Sequence, residues 1–255
     1  MFESIIVAIV QGITEFLPVS SSGHVTIIAS LLDIEFSLFL LVWLHASSLL
    51  AVVLYYFKDI VTLITDFFKM TLHLENDQGT IVLKLLGATT VTGVMGLFAA
   101  KAFSDFISLN IIALMLFATA GMIYLAETLR RYTKGNSFSW IQAAGVGVAQ
   151  GLAVLPGLSR SGTTIAYLVG AGIERQEAVR ISFLLSIPTI AGALLLGLLD
   201  GDNIEKIFTL QYLVLFIAGF ISSLVSIKLM SVWVEKHWTL FIPYCLILGT
   251  GLLLI

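Results

Sequence analysis

The sequence predicts an all-α polytopic membrane protein, an inverted-topology repeat with six full transmembrane helices and two re-entrant half-helix pairs. Of its 255 residues, 58% are hydrophobic and only 11% are charged, whereas soluble domains carry about 25% charged residues. Several uncharged runs are about 20 residues long, the length that crosses a bilayer as a helix. We therefore expect a single membrane domain over residues 1–255, with repeat one at about 1–134 and repeat two at about 135–255.

Two apolar stretches are interrupted in a way that predicts half-helices. In residues 1–32 the break is the segment 18–23, and the helix that follows it, 24–32, rises only about 14 Å. The hydrocarbon core of a bilayer is about 30 Å thick, so this helix cannot cross it. The second stretch runs from 135 to 173, and its arm 161–173 is again short for a span. Each stretch therefore predicts a re-entrant pair.

The remaining apolar runs predict the six full spans. The only extended polar connection is 58–79, for which we expect an amphipathic surface helix with Phe67 and Phe68 as interfacial anchors. The predicted spans are approximately 36–57, 81–99, 106–126, 181–199, 208–227 and 238–255.

The charges between these spans are distributed unevenly between the two predicted faces. One face collects most of the cations: Lys58, Lys69, Arg130, Arg131, Lys134, Arg175, Arg180 and Lys236. The other face has few cations and many acids: Lys101 and Lys206 with Asp33, Glu35, Asp105, Asp200, Asp202 and Glu205. Because cytoplasmic loops are enriched in Lys and Arg, the first face is predicted to be cytoplasmic. The protein is then a multi-pass cell-membrane protein with both termini outside, and its half-helix pairs enter from opposite sides.

Two similar stretches suggest one shared site. Residues 11–24 read QGITEFLPVSSSGH and residues 150–163 read QGLAVLPGLSRSGT. The first contains one charge, Glu15, and the second contains one charge of opposite sign, Arg160. An ionisable residue at membrane depth is costly and marks a functional site by default. Inverted repeats place their sites near the midplane, where broken helices meet.

The residues around these breaks favour an anion as ligand. Half-helices that start near Gly23 and Gly162 would point their N-termini, with free N–H groups, into one cavity. Arg160 adds a guanidinium group whose donors match two phosphate oxygens at once. The pattern is suited to a phosphate group that enters from water.

The two motifs also resemble a known family. The elements QxxxE, FLPVSSSGH and PGLSRSGTT are similar to those of the undecaprenyl-diphosphate phosphatase family, which is linked to bacitracin resistance. The resemblance covers essentially the whole chain. It implies a membrane hydrolase that cleaves a polyprenyl (undecaprenyl) diphosphate to the monophosphate, in the recycling of the lipid carrier for cell-wall biogenesis. Where the family usually has a glutamate, this chain has Gln11, which leaves Glu15 as the one carboxylate of the motif.

The resemblance also implies the site residues. By this resemblance, the catalytic residues are expected to be Glu15, a serine of the first motif, His24 and Arg160. We assign Ser21 as nucleophile or as the group that positions it, and expect His24 to accept its proton. Glu15 would orient His24, act as a base or hold a divalent cation, Mg²⁺ or Ca²⁺, although Gln11 weakens the case for a tight metal site. The expected phosphate-binding residues are Gln11, Ser20, Ser22, Gly23, Ser159, Ser161, Gly162 and Thr164.

Several alternatives stay open at this point. A phosphohistidine route through His24 is the second chemical pathway. A secondary transporter or lipid flippase is the second function, because inverted repeats with broken helices are transporter architecture. Ser and Gly are also common where membrane helices pack, and His45, inside the span 36–57, is expected to be a satisfied interior histidine rather than part of the site. The expected partners are the polyprenyl diphosphate, membrane lipids and a second copy of the chain, without nucleic acid.

Overall fold

The structure, a computed structural model, describes residues 1–33, 37–72, 79–103, 108–133, 135, 137–199 and 209–254. These residues are almost entirely helical, and no strand occurs among them. The helices are α1 Phe2–Phe16, α2 Ser21–Leu32, α3 Leu38–Tyr55, α4 Phe57–Thr71, α5 Gly79–Phe103, α6 Leu109–Arg130, α7 Trp140–Leu152, α8 Arg160–Gly170, α9 Arg175–Leu199, α10 Leu210–Trp233, the 3₁₀ turn Trp238–Leu240 and α11 Phe241–Leu253.

The predicted multi-pass, all-helical class is confirmed, but the count of six spans is not. Within the described ranges, α5, α6, α9 and α10 are long and apolar enough to cross a membrane. A fifth span results if α3 and α4, which meet at an angle of 71°, are taken as one broken span. The segment Trp238–Leu253 is a shorter apolar helix, because α11 itself has only 13 residues and rises about 20 Å.

The polar connection after α3 begins with an amphipathic helix, as predicted. α4 buries Leu63 and Asp66 on one face, and Asp66 pairs with Lys69 at 3.5 Å. Its other face exposes an apolar row at helical spacing: Phe57, Val61, Ile64 and Phe68. Such a helix fits a position along a membrane surface rather than across the membrane.

Part of the basis for the predicted orientation lies outside the described residues. This applies to Glu35, Asp105, Lys134, Asp200, Asp202, Glu205, Lys206 and the side chain of Lys101. Among the described charges, Arg180 Nε binds Asp59 Oδ1 at 2.6 Å, and Arg175 Nη2 binds Glu127 at 2.7 Å. Arg175 also donates to the backbone oxygen of Glu235 at 2.7 Å. The start of α4, the end of α6, the start of α9 and the end of α10 therefore lie together.

The first half-helix of each repeat packs against a long helix. α1 packs chiefly against α10 and α7 against α5, while α6 packs against α11 and α3 against α9. The glycine after each repeated glutamine allows the close approach. A Cβ on Gly12 would lie 2.6 Å from the backbone oxygen of Gly219 on α10, and a Cβ on Gly151 would lie 2.7 Å from Cβ of Met95 on α5. Small residues of this kind let membrane helices approach closely.

Candidate active site

The break between α1 and α2 follows from local backbone rules. Pro18 disfavours helical backbone at Leu17, which is extended with φ −81° and ψ 148°. Ser20 then takes φ +69°, and its hydroxyl caps α2 by accepting from Gly23 N at 3.1 Å. A non-glycine residue in this region is strained and persists only where its surroundings hold it. α2 thus begins at a fixed point, with Ser21 as its first residue.

The second break has the same cap. Ser159 Oγ accepts from Gly162 N at 3.1 Å, so α8 begins at Arg160 as α2 begins at Ser21. The N–H groups of Gly23 and Gly162, which the sequence suggested as free for an anion, are therefore occupied by their capping serines. The amides before them in the first turn, such as those of Ser21 and Ser22, have no intrahelical acceptor and keep the positive end of the helix dipole.

The two breaks meet, as the shared-site prediction requires. Ser161 Oγ donates to the backbone oxygen of Leu17 at 2.8 Å. Gly157 N donates to Ser22 Oγ at 3.4 Å. These bonds cross 144 and 135 residues of sequence and hold the two tips against each other.

The two opposite charges form a buried ion pair. Arg160 Nη2 lies 2.6 Å from Glu15 Oε1, and their side chains are 15% and 5% exposed. Arg160 Nη1 is buried and has no hydrogen-bond partner within the described part of the chain. Because Nη2 binds Glu15 and Nη1 has no partner in that part of the chain, the guanidinium group retains a donor for a further anion.

Three polar groups lie around the second carboxylate oxygen of Glu15, Oε2. Ser21 Oγ donates to Oε2 at 2.7 Å, and Gln11 Nε2 donates to it at 3.2 Å. His45 Nε2 lies 3.6 Å from the same oxygen. A short hydrogen bond from a hydroxyl to a carboxylate is the arrangement by which a base activates a serine nucleophile.

A cavity of about 460 Å³ opens beside these groups. Six of the predicted site residues line it: Gln11, Glu15, Ser21, Ser22, Ser159 and Arg160. The other six do not: Ser20, Gly23, His24, Ser161, Gly162 and Thr164. Their polar groups are used in the scaffold, as for Thr164 Oγ1, which shares a hydrogen bond with Ser182 Oγ at 2.6 Å. Half of the expected set thus borders the cavity, and half supports it.

His24 is directed away from Ser21, contrary to the expected contact between them. Its Nδ1 lies 2.7 Å from the backbone oxygen of Ser20, and its Nε2 lies 2.6 Å from Tyr244 OH on α11. The rings of His24 and Tyr244 also stack. Because a carbonyl oxygen only accepts, Nδ1 carries the hydrogen and Nε2 accepts from the tyrosine. His24 therefore holds the strained Ser20 turn from outside the cavity.

His45 is the histidine that borders the cavity, although the sequence favoured an interior structural role. Its Nδ1 lies 2.7 Å from the backbone oxygen of Leu41, which leaves Nε2 directed to Glu15. An ionisable residue inside an apolar span indicates a functional site. The sequence does not show, however, whether His45 lies on the side of the helix that faces Glu15.

Gln150 lines the opposite wall and was not assigned to the site. Its Nε2 donates to Thr189 Oγ1 at 2.8 Å and to Thr92 Oγ1 at 3.2 Å. On the other side Gln11 Nε2 donates to Ser48 Oγ at 3.3 Å, and Ser48 bonds Ser223 at 2.9 Å. The repeated glutamines therefore anchor matching hydroxyl networks.

The donor set does not fit a resident divalent cation. No group of three His, Cys, Asp or Glu side chains with metal-binding geometry occurs among the described residues. Mg²⁺ and Ca²⁺ require several oxygen ligands, carboxylates above all. Among the described residues, Glu15 is the one carboxylate that lines the cavity, and Arg160, Ser21 and Gln11 already occupy its oxygens.

The comparisons with known proteins agree over almost the full length. The family model described as Bacitracin resistance protein BacA matches residues 4–251. A protein named Undecaprenyl-diphosphatase from Methanosphaera stadtmanae is 37% identical, over 98% of this chain and 95% of the relative. Proteins of the same name are 33% identical in Thermosipho africanus, over 96% of both chains, and 34% identical in Halothermothrix orenii, over 100% of this chain and 98% of the relative. The chain therefore belongs to the bacitracin resistance protein BacA family.

Proposed function

We propose that the chain is an integral-membrane phosphatase that hydrolyses a polyprenyl diphosphate, with undecaprenyl diphosphate as the expected substrate. The products are the monophosphate carrier lipid and orthophosphate. The observation that carries the proposal is the 2.7 Å bond from Ser21 Oγ to Glu15, beside Arg160 in one cavity. The names of the relatives supply the substrate class, since they read Undecaprenyl-diphosphatase.

The arrangement supports a two-step reaction through Ser21. In the first step Oγ attacks the terminal phosphorus, Glu15 takes the hydroxyl proton, and the bond from that phosphorus to the bridging oxygen breaks. The polyprenyl monophosphate leaves with the bridging oxygen. In the second step water attacks the phosphoserine, the Oγ–P bond breaks, Oγ recovers the proton that it gave up in the first step, and orthophosphate leaves with both protons of the water.

Charge stabilisation comes from Arg160 and from the N-termini of two half-helices. Arg160 retains Nη1 for a phosphate oxygen, and the N-termini of α2 and α8 both border the cavity. Donors that are already oriented stabilise developing charge without reorganisation at the moment of reaction. We expect a divalent cation to accompany the diphosphate as its counter-ion rather than to be held by the protein.

The geometry favours Ser21 over His24 as the nucleophile. Both ring nitrogens of His24 are engaged, one by Ser20 and one by Tyr244, and the residue does not line the cavity. A phosphohistidine route would require His24 to give up the Tyr244 bond and turn towards the cavity. His24 therefore enters the proposal as the residue that positions the Ser20–Ser21 turn.

For the fold, we propose the inverted repeat with six spans and two half-helix pairs. Equivalent helices are then α1 and α7, α3 and α9, α5 and α10. The hydrogen bonds of the two glutamines support this pairing. Gln11 bonds a hydroxyl of α3, Ser48, which in turn bonds a hydroxyl of α10. Gln150 bonds hydroxyls of the equivalent helices, α9 and α5. The α1–α10 packing likewise has its counterpart in the α7–α5 packing.

For orientation, we propose that both termini lie outside the cell membrane. The contacts of Arg175 with Glu127 and of Arg180 with Asp59 support it, because they join three of the helix ends that the charge distribution assigns to one basic face. That face is cytoplasmic by the positive-inside rule. A second copy of the chain as a partner stays a prediction.

The test is orthophosphate release from a C55 polyprenyl diphosphate by the purified, detergent-solubilised protein, with and without Mg²⁺ or Ca²⁺. Wild type should release phosphate catalytically, and Glu15→Gln, which keeps the shape but loses the base, should not. A wild type that releases no phosphate, yet moves labelled lipid between leaflets of a vesicle, would replace the phosphatase with a flippase.

A further inference from the structure

The cavity contains three ionisable side chains among its described lining residues: Glu15, Arg160 and His45. The proposed reaction needs a place to store one proton, because the serine hydroxyl loses it in the first step and recovers it in the second. Arg160 stays protonated throughout. The store is therefore Glu15, His45 or both.

Glu15 is a poor permanent store for that proton. A protonated Glu15 no longer neutralises Arg160, which lies 2.6 Å away and is 15% exposed. Removing one charge from a buried pair is costly because the other remains uncompensated. A neighbouring group that accepts the proton restores the Glu15–Arg160 pair.

Gln11 cannot be that neighbour. It lies four residues before Glu15, and its amide nitrogen donates to Glu15 Oε2 and to Ser48. An amide takes up no proton in this pH range. A carboxylate at position 11 would instead be a second proton-carrying group in contact with Glu15.

His45 has the required chemistry and direction. The backbone oxygen of Leu41 fixes the hydrogen on Nδ1, so that the neutral ring presents the lone pair of Nε2. That nitrogen lies 3.6 Å from Glu15 Oε2, the same oxygen that accepts from Ser21, and the histidine side chain is 39% exposed. A proton that reaches Glu15 Oε2 from Ser21 therefore has an acceptor nitrogen beside it.

We propose that His45 is the proton relay of Glu15. The inference rests on the proposed phosphatase function. The Ser21 proton passes to Glu15 Oε2 as the Oγ–P bond forms, and then to His45 Nε2. It returns by the same path to Oγ when water cleaves the phosphoserine. His45 acts on the reaction through Glu15, so it is a positioning residue.

The test compares kcat and KM for phosphate release from the C55 diphosphate in His45→Gln and His45→Asn. His45→Asn offers an amide N–H near the position of Nδ1, for the Leu41 bond, and removes the proton acceptor, which separates a relay from a structural role. Both substitutions should lower kcat about 100-fold or more and leave KM nearly unchanged. His237→Gln is the matched control, because His237 is exposed and lies outside the cavity.

Rescue makes the test specific. Gln11→Glu places a second carboxylate in contact with Glu15, so the double variant Gln11→Glu/His45→Gln should recover at least about a tenth of the wild-type kcat. Thermal unfolding of each variant verifies that it is folded. An undiminished kcat in His45→Asn, or a folded double variant no faster than His45→Gln, would overturn the relay. Absence of phosphate release by the wild type would overturn the proposed phosphatase function. This result is distinguishable from failure of the relay, because it is measured on the wild type alone.

Discussion

Removal of the Ser21 hydroxyl separates a nucleophile from a group that only binds phosphate. Ser21 is the first residue of α2, and its hydroxyl donates to Glu15 at 2.7 Å. In Ser21→Ala the carboxylate keeps its bonds from Arg160 and Gln11. The stability loss should therefore stay within the range of one hydrogen bond to a charged group, about 1.5–3 kcal/mol.

The same range sets the limit for a purely binding role. A hydrogen bond of up to about 3 kcal/mol that forms only in the transition state accounts for a rate loss of about 150-fold. A nucleophile should cost more, because the covalent route disappears with it. We therefore expect kcat of Ser21→Ala to fall by more than about 10³-fold, with substrate binding retained.

The assay is orthophosphate release by purified variants, together with binding of a non-hydrolysable polyprenyl diphosphonate. Thr26→Ala is the matched control: its hydroxyl also borders the cavity but bonds the backbone oxygen of Ser22 within its own helix, at 2.9 Å. It should retain most of the activity. A Ser21→Ala protein within 150-fold of wild type, or equal losses in the two variants, would refute the assignment of Ser21 as nucleophile.

Three further predictions concern the arginine, the tyrosine and the topology. Arg160→Lys keeps the charge but loses the second donor nitrogen, so phosphate release should fall strongly in a protein that still folds; near-normal turnover would make Arg160 structural. Tyr244→Phe removes one hydrogen bond to His24 and should cost about 1 kcal/mol in unfolding free energy with modest loss of turnover, whereas a loss equal to that of Ser21→Ala would place His24 in the chemistry. Asp33 and Arg131 are both exposed. A cysteine at position 33 should react with an impermeant reagent only from outside the cell, and a cysteine at position 131 only from inside; labelling of both from the same side would contradict the inverted repeat.

The parts of the site that were predictable from sequence depend on local rules. Pro18 and the capping serines end and restart the helices wherever the rest of the chain lies. Glu15 and Arg160 could be expected to meet because a buried charge in an apolar stretch needs a partner. The structure contains both features.

The parts that were missed depend on the rotation of whole helices. Whether His24 or His45 faces Glu15 is decided by packing, and the partner of His24 is Tyr244, 220 residues away in sequence. The count of six spans stays a prediction for a different reason, the lengths of two helices. α11 has 13 residues and α3 has 18, so their lengths do not by themselves establish a crossing.

The most direct measurement of the central claim is the isotopic composition of the products in H₂¹⁸O. Attack at the terminal phosphorus, followed by hydrolysis of the phosphoserine, should put one ¹⁸O atom into each orthophosphate and none into the polyprenyl monophosphate, as mass spectrometry of both products would record. Orthophosphate without ¹⁸O, or ¹⁸O in the lipid monophosphate, would contradict the proposed chemistry of Ser21, Glu15 and Arg160.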